Sequence, residues 1–76
     1  MLDAKIVGDV VQKYRERRGL SQEVVSGLAG IGRTHLSAIE RGLRKPTLET
    51  FFSLAAAMNV RASELMRLIE SALESD

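Results

Sequence analysis

Apolar side chains recur at helical intervals along almost the whole chain, and no run of alternating β-branched and polar residues extends far enough to make a strand. Ile6, Val7, Val10, Val11 and Tyr14 lie at spacings of one, three and four with polar residues between them. They predict an amphipathic helix over residues 4–18, stopped by Gly19 behind the basic run Arg15, Arg17 and Arg18. Ser21 is placed to cap a second helix, whose Val25, Leu28 and Ala29 are expected to face inward before Gly30 ends it. The third segment carries Leu36 and Ile39 with Ala38 beside them, Gly32 as its N-cap and Gly42 as its C-cap. Thr47, behind Pro46, caps a fourth helix with a wide apolar face of Leu48, Phe51, Phe52, Leu54, Ala55 and Met58, and Asn59 is a left-handed stop. A fifth helix, about 62–74, repeats Leu65, Met66, Leu68, Ile69, Ala72 and Leu73. The pattern predicts an all-α, compact five-helix fold.

Length makes this one domain across residues 1–76, with its core in about 4–60 and the C-terminal helix added to it. A chain of 76 residues buries only about 60% of its unfolded surface, so well-packed apolar faces, and often a partner, must stabilise it. The absence of cysteine excludes disulfides, a thiolate nucleophile and a thiolate metal site. One histidine and no glycine-rich phosphate loop after a strand leave nothing from which to build a catalytic or metal centre, so neither an enzyme nor a cofactor is expected. Asp3 and Asp9 interrupt the N-terminal apolar run, which therefore predicts neither a signal peptide nor a membrane span, and a cytoplasmic location is expected.

The net charge is only +1, but it is unevenly spread. Residues 1–46 hold nine basic and five acidic side chains, a net of +4, while residues 47–76 hold two basic and five acidic, a net of −3. Such a chain can turn its basic half toward a polyanion, although on charge alone a solvated surface explains the excess equally well. The second and third helices, joined by Gly30, Ile31 and Gly32 with Ile31 as the apolar plug, have the organisation of a helix-turn-helix.

The register of Leu20-Ser21-Gln22, Leu36-Ser37, Ile39-Glu40-Arg41-Gly42 and Pro46-Thr47-Leu48 resembles the Cro and phage-repressor type of helix-turn-helix domain. Small phage-type repressors and the controller proteins of restriction-modification systems look most similar. The chain departs from the usual pattern at Ser26, Gly27, Gly32 and Arg61-Ala62, and it carries Val24, Leu28 and Leu43 as apolar side chains without an obvious neighbour. Gly27 inside a helix should cost up to about 1 kcal/mol relative to Ala.

The resemblance implies a repressor-like fold that binds double-stranded DNA, with the third helix in the major groove. Carried over by position, the base contacts fall to Arg33, Thr34, Ser37 and Ala38, with Arg33 matching the acceptors of guanine. Phosphate contacts fall to Gln22, His35, Arg41, Arg44 and Lys45, Arg44 being also a candidate second base reader. His35 is equally open to a plain surface role beside the second helix. Arg15 and Glu40 match the ion pair that fixes the first helix against the third.

Members of such a family bind palindromic operators as homodimers. Leu65 and Ile69 are expected to face helix 4, leaving Met66, Leu68, Ala72 and Leu73 for the dimer interface. The expected function is a transcriptional regulator, with two alternatives: an antitoxin-type protein that also binds a toxin, or a protein-only adaptor. Val24, Leu28 and Leu43 would suit a toxin or polymerase partner, whereas the basic cluster argues against the adaptor. No membrane partner is expected.

Overall fold

The computed structural model describes residues 2–75 and consists of five helices: α1 (Ala4–Arg17), α2 (Gln22–Ala29), α3 (Arg33–Glu40), α4 (Leu48–Ala57) and α5 (Ala62–Ser75). The described residues contain no strand, and none of their helices is long and apolar enough to cross a membrane.

Local chemistry sets the ends of these helices. The Asp3 carboxylate accepts the backbone N–H groups of Lys5 and Ile6 at the start of α1, a cap the apolar pattern gave no reason to name. Ser21 Oγ accepts from Val24 N at 3.1 Å and Thr47 Oγ1 from Thr50 N at 3.1 Å, so both predicted hydroxyl caps form. Gly32 has no side chain to offer α3. The first helix ends at Arg17, with Arg18 as its cap. The third ends at Glu40, with Arg41 as its cap and Gly42 beyond it at φ 77°. Gly42 lies against the α1 backbone at Lys5, so this turn requires glycine on two counts.

The core runs through all five helices: Val7 and Val11, Val25, Leu36 and Ile39, Phe51, Leu54, Ala55 and Met58, then Leu65 and Ile69. α5 closes the domain by packing on both α1 and α4. Three residues assigned to apolar faces turn outward: Leu28 is 68% exposed, Leu48 71% and Phe52 57%. In α2 the buried arc is centred on Val25, Ser26 and Ala29, because Ser26 satisfies its hydroxyl on Glu23 O and turns inward, leaving Leu28 outside the arc. In α4 the buried stripe is Phe51, Leu54, Ala55 and Met58, and Leu48 and Phe52, four residues apart, form an exposed ridge beside it.

Candidate nucleic-acid interface

The turn between α2 and α3 is built by Gly30, which takes the left-handed conformation at φ 74°, and by Ile31, whose N–H returns to Ser26 O at 3.0 Å. Ile31 packs against the core and anchors the turn from beneath. α3 then buries Leu36, Ile39 and Glu40, which fixes its outward side. At 3.6 residues per turn Thr34 and Ala38 lie near the middle of that side, Ser37 and Arg33 toward one margin and His35 at the other. Arg33 and Thr34 are exposed, and His35, Ser37 and Ala38 are half-buried. The four positions assigned to base contact thus share one face of one helix, and His35 stands across it from Arg33.

Behind this face lies a buried polar network. Arg15 Nε donates to Glu40 Oε2 at 2.6 Å and Arg15 Nη2 to Glu40 Oε1 at 2.9 Å, while Arg15 Nη1 donates to Leu20 O at 2.8 Å. The hydrogen bond to Glu40 holds the Arg15 guanidinium above the usual arginine range despite its partial desolvation. A two-pronged pair of this kind orients one helix against another more than it adds net stability. Gly8 permits the close approach, since any Cβ there would run into the backbone of Ile39 and Glu40. Every buried side-chain polar atom among the described residues has a partner.

Two residues assigned to phosphate are engaged within the protein. Gln22 Nε2 donates to Glu40 Oε1 at 2.9 Å, joining the first turn of α2 to the last residue of α3. Lys45 Nζ donates to Leu2 O at 3.2 Å, fastening the N-terminal arm to the loop after α3. Neither bond could be foreseen from local pattern, because the partners are 18 and 43 residues apart. Arg41 and Arg44 are exposed, and among the described residues neither they nor Arg33 forms an ion pair. Arg17 and Arg18, which the sequence places only at the dipole-favoured end of the first helix, are exposed just before α2 begins. The Arg18 guanidinium stands 6.0 Å from the Tyr14 ring centroid. No group of three or more His, Cys, Asp or Glu among the described residues could hold a metal ion.

The positions assigned to dimerisation do not form one patch. Met66 and Leu73 lie along one margin of the buried stripe of α5 and Leu68 and Ala72 along the other, and all four are half-buried. The largest exposed apolar side chains on this half of the molecule are Leu48 and Phe52 of α4, and Leu48 shares a groove with Leu2, Pro46, Phe51 and Met66.

The helix-turn-helix family model matches residues 11–65, from α1 into α5. The chain is 40% identical over 62 residues to an uncharacterized HTH-type transcriptional regulator of Sinorhizobium fredii, covering 82% of this chain and 80% of that one. It is 36% identical over 62 residues to the control protein C.SmaI of Serratia marcescens, covering 82% and 74%. Among solved structures, the restriction-modification controller protein C.AhdI from Aeromonas hydrophila is similar at a TM-score of 0.80 and 32% identity, covering 86% of this chain and 98% of that one. The chain belongs to the helix-turn-helix family.

Proposed function

We propose that the protein is a sequence-specific transcriptional regulator that binds a palindromic operator in double-stranded DNA as a homodimer, with α3 in the major groove. The observation that carries this reading is the outward face of α3. It presents Arg33, Thr34, Ser37 and Ala38 on a helix locked from behind by the Arg15–Glu40 pair, followed by the exposed cations Arg41 and Arg44, which form no ion pair among the described residues. Arg33 supplies a guanidinium fork for guanine, Thr34 a hydroxyl and a methyl, and Ser37 a second hydroxyl, while Ala38 leaves room for close approach. Arg41 and Arg44 meet phosphate, His35 flanks the groove wall, and the first turn of α2 lies against the backbone. Similarity to proteins named as transcriptional regulators and restriction-modification controllers supports regulation of transcription as the outcome.

The exposed ridge of Leu48 and Phe52, continued by Met66, supports α4 with the adjoining margin of α5 as the dimer surface. The domain measures 31 × 23 × 22 Å. Two such bodies related by a two-fold axis fit recognition helices about 34 Å apart, one turn of DNA.

Selection of bound duplexes from a random pool tests DNA binding, palindromy and half-site spacing together. Arg33→Ala should then weaken the selected operator by about 1–3 kcal/mol and relax one symmetric G·C position. Equal losses on operator and scrambled duplex would make Arg33 a phosphate contact instead. The exposed Val24 and Leu28 on α2 favour, as a second reading, an additional protein partner such as a toxin or polymerase. A pool that yields no enriched duplex would leave that protein-binding role alone.

A further inference from the structure

Gln22 occupies a particular place in the geometry of the motif. α2 and α3 each contain eight residues and are joined at Gly30–Gly32, so they form a V whose two arms are about 12 Å long. Gln22 is the first residue of one arm and Glu40 the last of the other, so both lie at the mouth of the V, farthest from the turn. The bond from Gln22 Nε2 to Glu40 Oε1, 2.9 Å, closes that mouth. The Glu40 arm is itself immobilised. Arg15 grips its carboxylate with two hydrogen bonds, and Gly8 brings the α1 backbone against the last turn of α3. At the mouth of the α2 arm Arg15 Nη1 holds Leu20 O, two residues before Gln22, and Ser21 caps α2 locally, but among the described residues the Gln22 amide makes the one side-chain hydrogen bond that runs directly between α2 and α3.

From this arrangement we infer that Gln22 is a positioning residue: its amide fixes the angle between α2 and the recognition helix, and thereby governs discrimination between operator and other DNA. The inference rests on the DNA-binding reading above and deepens it. On an arm of about 12 Å, parting the mouth by about 1 Å swings one helix against the other by about 5°. The rotation is small, but the displacement of about 1 Å between the phosphate-facing start of α2 and the base-facing side of α3 exceeds the roughly 0.5 Å within which a binding constellation must be held. A simple phosphate contact behaves differently, because phosphates carry no sequence and its loss weakens every duplex alike. Gln22 has a second amide N–H and a carbonyl oxygen beyond the bond to Glu40, so it can meet a phosphate without releasing the tie.

Two measurements on the full chain test this. In the protein without DNA, the side-chain amide of Gln22 should show one proton slowed in solvent exchange relative to Gln12, the only other glutamine. Gln22→Met keeps the bulk of the side chain and Gln22→Ala removes it, and thermal unfolding should find both variants folded. Each should bind the pool-selected operator about tenfold more weakly while scrambled duplex at the same salt changes less than about twofold. Equal losses on the two duplexes, no loss on either, or identical exchange for Gln12 and Gln22 would overturn the role. A wild type without preference among duplexes would refute the functional reading and this role with it. The amide spectrum would still show whether the tie exists, so the two failures are distinguishable.

Discussion

Alanine substituted for the two glycines that lie inside helices should change stability in opposite directions. Gly27 is in the middle of α2 on its exposed side, and a Cβ there meets nothing within 4 Å. Gly27→Ala should therefore recover most of the helix-propensity difference, about 0.5–1 kcal/mol. Gly8 is in the middle of α1 and buried. A Cβ there would stand 2.9 Å from Glu40 O, 3.0 Å from Glu40 C and closer still to Ile39 O. These are backbone atoms at the end of a packed helix, so they cannot swing aside as a side-chain tip would. Overpacking of this kind costs about 1–3 kcal/mol, and here α3 must retreat and draw Glu40 away from Arg15, which adds to the penalty. Against a propensity gain of about 1 kcal/mol, Gly8→Ala should be destabilising by about 1–2 kcal/mol or more. For a domain of this size each kcal/mol moves Tm by about 4–8 °C. Thermal unfolding followed by far-UV circular dichroism should place Gly27→Ala a few degrees above wild type and Gly8→Ala well below it. A Gly8→Ala protein as stable as Gly27→Ala would refute the close crossing of α1 and α3, and with it the account of how the recognition helix is held.

Leu48→Asp combined with Phe52→Asp should shift sedimentation from dimer to monomer with helicity kept, because both side chains are already exposed; unchanged sedimentation would move the interface elsewhere. Arg44→Ala should lower the salt slope of DNA binding by up to about 0.9, and Lys45→Ala by less, since the Lys45 ammonium is bonded to Leu2 O; a larger effect at Lys45 would count against that engagement. On the outer face of α5 the hydrogen bond from Arg67 holds the Glu64 carboxyl below its ordinary range, so the pair contributes stability above the usual carboxylate pKa and loses it as pH falls through the lowered one. The Tm difference between wild type and Arg67→Ala should accordingly be small at neutral pH, shrink with salt and narrow in acid, whereas a difference independent of pH would rule the pair out as its source.

How far the chain could be read from sequence depended on the range of each interaction. Ser21 and Thr47 were legible as caps because a cap acts within three residues, and the left-handed conformation of Asn59 follows from its place after a helix. Periodicity also found the stripes that became the core. It gives the width of each apolar face, however, without showing which edge has a neighbour, and so Leu48 and Phe52 lie outward against expectation, as does Leu28, which spacing alone turns inward but comparison with the family pattern leaves without a neighbour. Only the resemblance pairs Arg15 with Glu40, since no local rule joins residues 25 apart. Gln22 and Lys45 show the same limit: the resemblance implies phosphate contacts for both, and the bonds they make within the chain, to Glu40 and to the Leu2 carbonyl, lie beyond any local pattern.

The proposed dimer follows from the dimensions of the reading helix. Eight residues make α3 about 12 Å long, which spans about four base pairs of duplex at about 3.4 Å each. On the proposed reading Ala38 offers only van der Waals contact, so discrimination within that span would rest mainly on Arg33, Thr34 and Ser37. One such half-site is too short to define a unique operator. A second copy doubles the sequence read and makes binding of its own half-site effectively intramolecular, which raises affinity without any new kind of contact. The chain's charge distribution suits that arrangement, because the basic excess lies within residues 1–46, chiefly on α1 and in the loop after α3, while Glu64, Glu70 and Glu74 lie on the C-terminal helix. Pairing through the Leu48 and Phe52 ridge leaves α3 of each copy available to DNA, whereas an interface centred on α2 or on the loop after α3 would cover residues assigned to phosphate and bases.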